Sequence, residues 1–112
     1  MSMGGLGNIA DLMKLVGQAG KIRENMAQMQ ERAAKRVVEG EAGGGMVKVT
    51  ANGIGELLSV TIDPEVLKDP ETVGPLVAAA ANMALRKGKE ILLEETRQAM
   101  GGIDLPPGFP GV

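Results

Sequence analysis

Met46-Val47-Lys48-Val49-Thr50-Ala51-Asn52-Gly53-Ile54-Gly55-Glu56-Leu57-Leu58-Ser59-Val60-Thr61-Ile62 is the stretch whose reading decides the fold. Met46 to Thr50 alternates apolar and polar and is rich in β-branched residues, which is the pattern of a half-buried strand. Asn52-Gly53 is the strongest short hairpin signal in the chain, because a type I′ turn asks both central residues for left-handed backbone. Ile54 to Ile62 then reads as the return strand, with Leu58, Val60 and Ile62 toward a core and Ser59 and Thr61 outward. On the N-terminal side, Val37-Val38-Glu39-Gly40-Glu41 reads as a shorter first strand, joined through Gly43-Gly44-Gly45 as a flexible connector. Residues 36–62 thus form a three-stranded antiparallel meander. Three strands are the minimum for a stable sheet, and this one needs a cover.

The cover comes from both sides. Residues 8–35 have apolar positions at Ile9, Leu12, Val16, Ala19, Ile22, Met26, Met29 and Ala33, continuing to Val37. Their mean spacing is close to the heptad value, so the helix presents a narrow seam that needs a partner helix. Asn8 is a suitable N-cap, Asp11 suits the positive end of the helix dipole, and Glu31 and Lys35 are placed for an i,i+4 pair. Gly17 and Gly20 weaken this helix by roughly 1 kcal/mol each. After the sheet, Asp63-Pro64-Glu65 and Asp69-Pro70-Glu71 share one grammar of N-cap, Pro at the first helical position and an acid in the first turn. The first opens a single turn ending near Lys68. The second opens a long helix over residues 70–100, with an apolar face of Val73, Leu76, Val77, Ala80, Met83, Ala84 and Ile91 and a solvent-facing run Arg86-Lys87-Gly88-Lys89-Glu90. Gly101-Gly102 ends it. Residues 1–7 read as a flexible start. Residues 101–112, rich in Gly and Pro, read either as an extended, mobile end or as a docking segment. The expectation is one α+β domain over residues 1–112, in the order α-β-β-β-α.

Composition narrows the function. The chain has 112 residues with no Cys, His, Trp or Tyr and a single Phe, Phe109. It therefore lacks disulfides, thiolate ligands, a thiol nucleophile and the commonest general base, and it has no aromatic platform for stacking bases. No catalytic residue, metal site, cofactor or small-molecule substrate is expected. No apolar run approaches the roughly 18 residues of a membrane span, and the first residues show no secretory pattern, so cytoplasm is the expected compartment. A chain of this size buries about two thirds of its unfolded surface, so a second copy would help it. The net charge is −2, but its distribution is uneven: +3 over residues 1–38, −5 over 39–72 and zero over 73–112.

Several short segments, taken in order, resemble the YbaB/EbfC family of bacterial nucleoid-associated proteins. They are Gly4-Gly5-Leu6-Gly7-Asn8, Met26-Ala27-Gln28-Met29-Gln30-Glu31, Val47-Lys48-Val49-Thr50-Ala51-Asn52-Gly53, Ile62-Asp63-Pro64-Glu65, Leu76-Val77-Ala78-Ala79-Ala80 and Gly101-Gly102-Ile103-Asp104-Leu105-Pro106-Pro107-Gly108-Phe109. The resemblance implies a tweezer-shaped homodimer whose long helices project as arms. It also implies binding to double-stranded DNA in the nucleoid, with effects on DNA conformation and gene expression. Some members of the family carry basic residues in the middle of the last strand. This chain has Leu57-Leu58-Ser59 there, which leaves the helices to supply positive charge.

Candidate phosphate contacts are Lys21, Arg23, Arg32, Lys35 and Arg36 on or just past the first helix, and Arg86, Lys87, Lys89 and Arg97 on the last. A solvated helix face with internal pairs such as Arg86–Glu90 is the structural alternative for each of them. Candidate dimer-interface residues are Val47, Val49, Leu58, Val60, Val77, Ala80, Ala81 and Ala84. The adjacent acids Glu94 and Glu95 diverge by about 100° on a helix, so they are not expected to converge on one ion. No element that reads base edges is recognisable, so binding is expected to tolerate many sequences and to weaken quickly with salt. The alternative function is a dimeric protein–protein adaptor, for example to a recombination or replication factor, with its apolar seams as the docking surface.

Overall fold

The computed structural model describes residues 9–100. The elements are α1 (Ile9–Lys35), β1 (Val37–Ala42), β2 (Val47–Asn52), β3 (Leu57–Ile62), α2 (Pro64–Leu67) and α3 (Pro70–Ala99). The α-β-β-β-α order and the three-stranded antiparallel meander are as expected. The Asn8 cap, the Gly101-Gly102 terminator and the two terminal segments lie outside the described residues.

Sheet order is β1-β2-β3. Opposite pairs such as Gly40↔Val49, Ala42↔Val47, Val49↔Val60 and Val47↔Ile62 put one set of side chains on one face. α3 lies across that face. Val47, Val49, Ala51, Ala80 and Ala84 are fully buried there, with Val66 of α2 closing one end and Val38, Ala42, Ile62, Val73, Leu76 and Val77 around them. Small residues make this contact close. A Cβ on Gly40 would run into the carbonyl oxygen of Ala80 and the amide nitrogen of Ala84, so strand and helix backbones touch at this point. α3 covers β1 and β2 and leaves β3 largely bare.

Three expectations need correction here. First, Asn52-Gly53 is not a type I′ turn: no described non-glycine residue has positive φ, and the left-handed position of the loop is Gly55, at φ 84°. Asn52 works through its side chain instead. Its Oδ1 accepts from the N–H groups of Ile54 (3.1 Å) and Glu56 (3.0 Å), and its Nδ2 donates to Glu56 Oε1 at 2.7 Å, as turn-forming Asn residues do. Gly53 is needed for close approach, since its N–H donates to the carbonyl of Ala33 at 2.9 Å and a Cβ would meet that oxygen and Ile91. Second, Gly43-Gly44-Gly45 is a defined turn rather than a loose connector, with φ of 64°, 68° and 88° and a Met46 N–H to Gly43 carbonyl bond of 3.3 Å. Third, Leu58 does not face the core. A register shift at Thr50/Ala51 pairs Ser59 with Thr50 and Leu57 with Ala51, so Leu58 is the extra residue, and it is 50% exposed; Val60, opposite Val49, is also 47% exposed because α3 leaves β3 bare.

The helix starts divide. Asp63 Oδ1 accepts from the Glu65 N–H at 2.9 Å, as an N-cap should. Asp69 makes no such backbone bond; its carboxylate accepts from Thr72 Oγ1 at 2.6 Å. Gly88, expected on a solvent-facing run, is buried, and a Cβ there would strike the carbonyl of Asn52.

Among the described residues, α1 packs against the rest of the chain only in its C-terminal half. Met29 and Ala33 are its buried residues, whereas Ile9 and Val16 of the same seam are each 73% exposed. The helices extend well past the sheet. The Cα radius of gyration is 21.3 Å and the extents are 78 × 25 × 21 Å, against roughly 13 Å for a compact domain of about this length. Gly20 has open space where a Cβ would go. Gly20→Ala is therefore expected to stabilise α1 by about 1 kcal/mol, seen as a higher midpoint in a thermal melt followed by helix circular dichroism.

Candidate nucleic-acid interface

α1 and the second half of α3 run antiparallel and form one arm. Three levels of contact define it. Arg36 reaches Glu94 and Glu95, Arg32 Nε donates to Glu95 Oε1 at 3.1 Å, and further out Thr96 Oγ1 lies 3.3 Å from Met29 Sδ. Glu95 is 4% exposed yet satisfied, sharing one carboxylate between two guanidinium groups. The expectation for Glu94 and Glu95 changes accordingly. Although they diverge on the helix, both reach one guanidinium, Glu94 at 3.4 Å on one terminal nitrogen and Glu95 at 3.7 Å on the other. The fork of an arginine is broad enough to collect carboxylates that a spherical ion could not. No group of acids with metal-binding geometry occurs among the described residues.

The nine candidate cations fall into two sets. Arg32 and Arg36 are held by Glu94 and Glu95. Lys35 pairs with Glu31 at 3.3 Å in the expected i,i+4 geometry, and Lys87 Nζ donates to the Glu39 carbonyl at 2.8 Å, covering the outer edge of β1. Lys21, Arg23, Arg86, Lys89 and Arg97 are exposed, and none belongs to an ion pair among the described residues; the Arg86–Glu90 pair does not form. Lys14 is a further exposed cation on α1, two turns before Lys21 on the same face, and that i,i+7 spacing was its signal in the sequence. The acids that outnumber the bases between residues 39 and 72 sit on the sheet, its turns, α2 and the first turn of α3. The molecule thus has an acidic body and a basic arm, and a polyanion is repelled by one and attracted by the other.

The candidate interface residues also divide. Val47, Val49, Ala80 and Ala84 have no exposed surface, because they form the chain's own core. A partner cannot reach them while α3 covers the sheet. Val77 and Ala81 are partly buried at the rim of that core, and Leu58 and Val60 are half exposed on β3. β3 is the edge of the sheet that no helix covers.

Fold and site together define a class: a small α+β chain with a paired-helix arm that displays cations without ion-pair partners among the described residues. The comparisons with known proteins agree with that class. The model of the YbaB/EbfC DNA-binding family matches residues 7–103, and the chain belongs to this family. It is 41% identical over 111 residues to nucleoid-associated protein TTE0040 of Caldanaerobacter subterraneus subsp. tengcongensis, covering 97% of this chain and 100% of that one. It is 47% identical over 103 residues to a nucleoid-associated protein of Xylella fastidiosa, covering 92% and 94%. Among solved structures, that of the uncharacterized protein HP0035 from Helicobacter pylori is similar, with a TM-score of 0.63 at 26% identity, covering 84% of this chain and 92% of that one.

Proposed function

We propose that this protein is a homodimer that binds double-stranded DNA in the bacterial nucleoid, in the cytoplasm, through phosphate contacts from its helical arms, altering DNA conformation without catalysis. The observation that carries this reading is the set of five exposed cations on α1 and α3 that have no ion-pair partner among the described residues, in a chain of a DNA-binding family. Arg32 and Arg36 are assigned to holding the arm together rather than to DNA. Sequence tolerance follows from the same set, since Lys and Arg on phosphate position a duplex without reading it.

Dimerisation is supported by the surface that one protomer leaves bare. Leu57, Leu58 and Val60 make β3 an open, apolar edge, and proteins seldom leave such an edge unpaired. Leu58 and Val60 are the residues placed in the interface.

The test is fluorescence anisotropy on a random-sequence duplex at stepped salt. With six or more phosphates contacted per dimer, affinity falls by about 10³-fold or more between roughly 50 and 200 mM salt. Lys21→Ala/Arg23→Ala removes four cations per dimer and flattens the log–log salt slope by about 3 to 4, whereas Lys35→Ala leaves it nearly unchanged. Absence of binding at the lowest salt overturns the DNA reading. A monomer by light scattering overturns the dimer.

A further inference from the structure

The two ends of the molecule carry opposite charge, and each presents apolar surface. At the arm, where α3 stops at Ala99, a cleft of about 480 Å³ opens between the helices, walled by Ile22, Met26 and Met29 of α1 and Thr96, Ala99 and Met100 of α3. Ile22 is 60% exposed and Met26 53%. Lys21 and Arg23 flank Ile22 on opposite sides of α1, since neighbours on a helix diverge by about 100°. Lys14 lies two turns from Lys21 on the same side, and Arg97 follows Thr96 on α3; none of the four belongs to an ion pair among the described residues. At the other end, α2 closes the sheet. Val66 is buried there, but Leu67 is 55% exposed, and Asp63, Glu65, Asp69 and Glu71 around it are exposed. Lys68 is the single base among them, so residues 63–71 carry four acids and one base, a net charge of −3. We propose that these two surfaces fit each other: Leu67 of one copy enters the arm cleft of the next, with the acids on either side of it facing the cations of the arm.

Charge and position select this pairing. Phosphate contacts account for the cations of the arm but not for the apolar floor between them. An exposed Leu ringed by acids matches both. Like-with-like pairing is poorer: two arms would bring Lys14, Lys21 and Arg23 against their own copies, and two α2 ends would oppose acid to acid, and such juxtapositions are repulsive. Nor can a chain fill its own cleft. α3 begins at Pro70, three residues after Leu67, and its 30 residues run to the cleft, which separates the two surfaces by about 45 Å. The three methionines of the cleft are flexible enough to close around a single Leu side chain. Each copy then uses its cleft for one neighbour and its Leu67 for another, so the contact is heterologous and repeats along a line instead of closing. It is small, in the class of weak and transient interfaces.

The experiment is sedimentation velocity of the full chain at low salt, without DNA, from micromolar to millimolar concentration. The parent is expected to sediment faster as concentration rises. Leu67→Ser and Ile22→Ser, both at exposed positions and each checked for parental helix circular dichroism, are expected to weaken self-association about tenfold or more, the value of burying a Leu side chain. Each variant keeps one half of the contact, so an equimolar mixture of the two is expected to sediment faster than either alone. A parent whose sedimentation does not change with concentration overturns the proposal. So does a Leu67→Ser that associates like the parent, which would place the contact between arms, and so does a mixture no faster than its components. The mass of the two variants when dilute reads the homodimer separately, so failure of that reading and failure of this one are distinguishable.

Discussion

Gly40→Ala is expected to cost about 3 kcal/mol or more, at the upper end of overpacking penalties. The new methyl group has no route of escape. It points from β1 at the Ala80 carbonyl and the Ala84 amide nitrogen, both backbone atoms within a helical turn, so the helix must lift off the sheet or bend. Lifting α3 also loosens Val47, Val49 and Ala51, which it buries. For a domain near this size the loss lowers Tm by roughly 10 °C or more. Urea unfolding at fixed protein concentration is the check, because any self-association makes apparent stability depend on concentration. Gly88→Ala sharpens the argument. Helix propensity alone forecasts a gain of about 1 kcal/mol there, but the Asn52 carbonyl lies in the way, so the net effect is a loss. Stability of Gly40→Ala within about 0.5 kcal/mol of the parent, the usual range for a surface change, would contradict the close approach of strand and helix.

The second large effect is expected from Glu95→Ala. The carboxylate is nearly enclosed and holds Arg32 and Arg36 against α3. Removing it strips Arg32 of its partner, leaves Arg36 with Glu94 alone and opens a void. Both arginines are 40–48% exposed at the side chain, so water relieves them, and the loss is set near 2 kcal/mol rather than the larger figures for fully buried pairs. Glu95→Gln keeps the shape and an oxygen for Arg32 Nε, and loses about half as much. The damage is local. Amide exchange should accelerate across the C-terminal half of α1 and the last turns of α3, where the contacts lie, and change little in β1 and β2. Equal acceleration in the sheet would show that Glu95 supports the whole fold and not the arm.

Most of the framework was legible in the residue pattern. The long helices, the three strands, the Asp63 cap and the Glu31–Lys35 pair all depend on neighbours within about four positions, where periodicity and capping chemistry act directly. What the pattern misassigned is equally specific. Asn52-Gly53 marked the correct turn for the wrong reason: its glycine serves an approach to Ala33 and Ile91, and the left-handed residue is Gly55. Leu58 had the right parity for a core position until one extra residue at the Thr50/Ala51 irregularity shifted the strand. Gly88 sat among charges in the sequence and beneath a carbonyl in the fold.

The cations show where the division lies. Their number, their clustering on two helices and the acidic stretch between them are properties of the sequence, and with the family resemblance they pointed to a polyanion. Which of them are free is a tertiary fact. Arg32 and Glu95 are 63 residues apart, and Lys87 and the Glu39 carbonyl are 48 apart. No local rule pairs such groups; they meet because α3 returns antiparallel to α1 and lies across β1. A direct ion pair needs its groups within about 4 Å, so the path of the chain decides which arginines hold the arm and which face solvent.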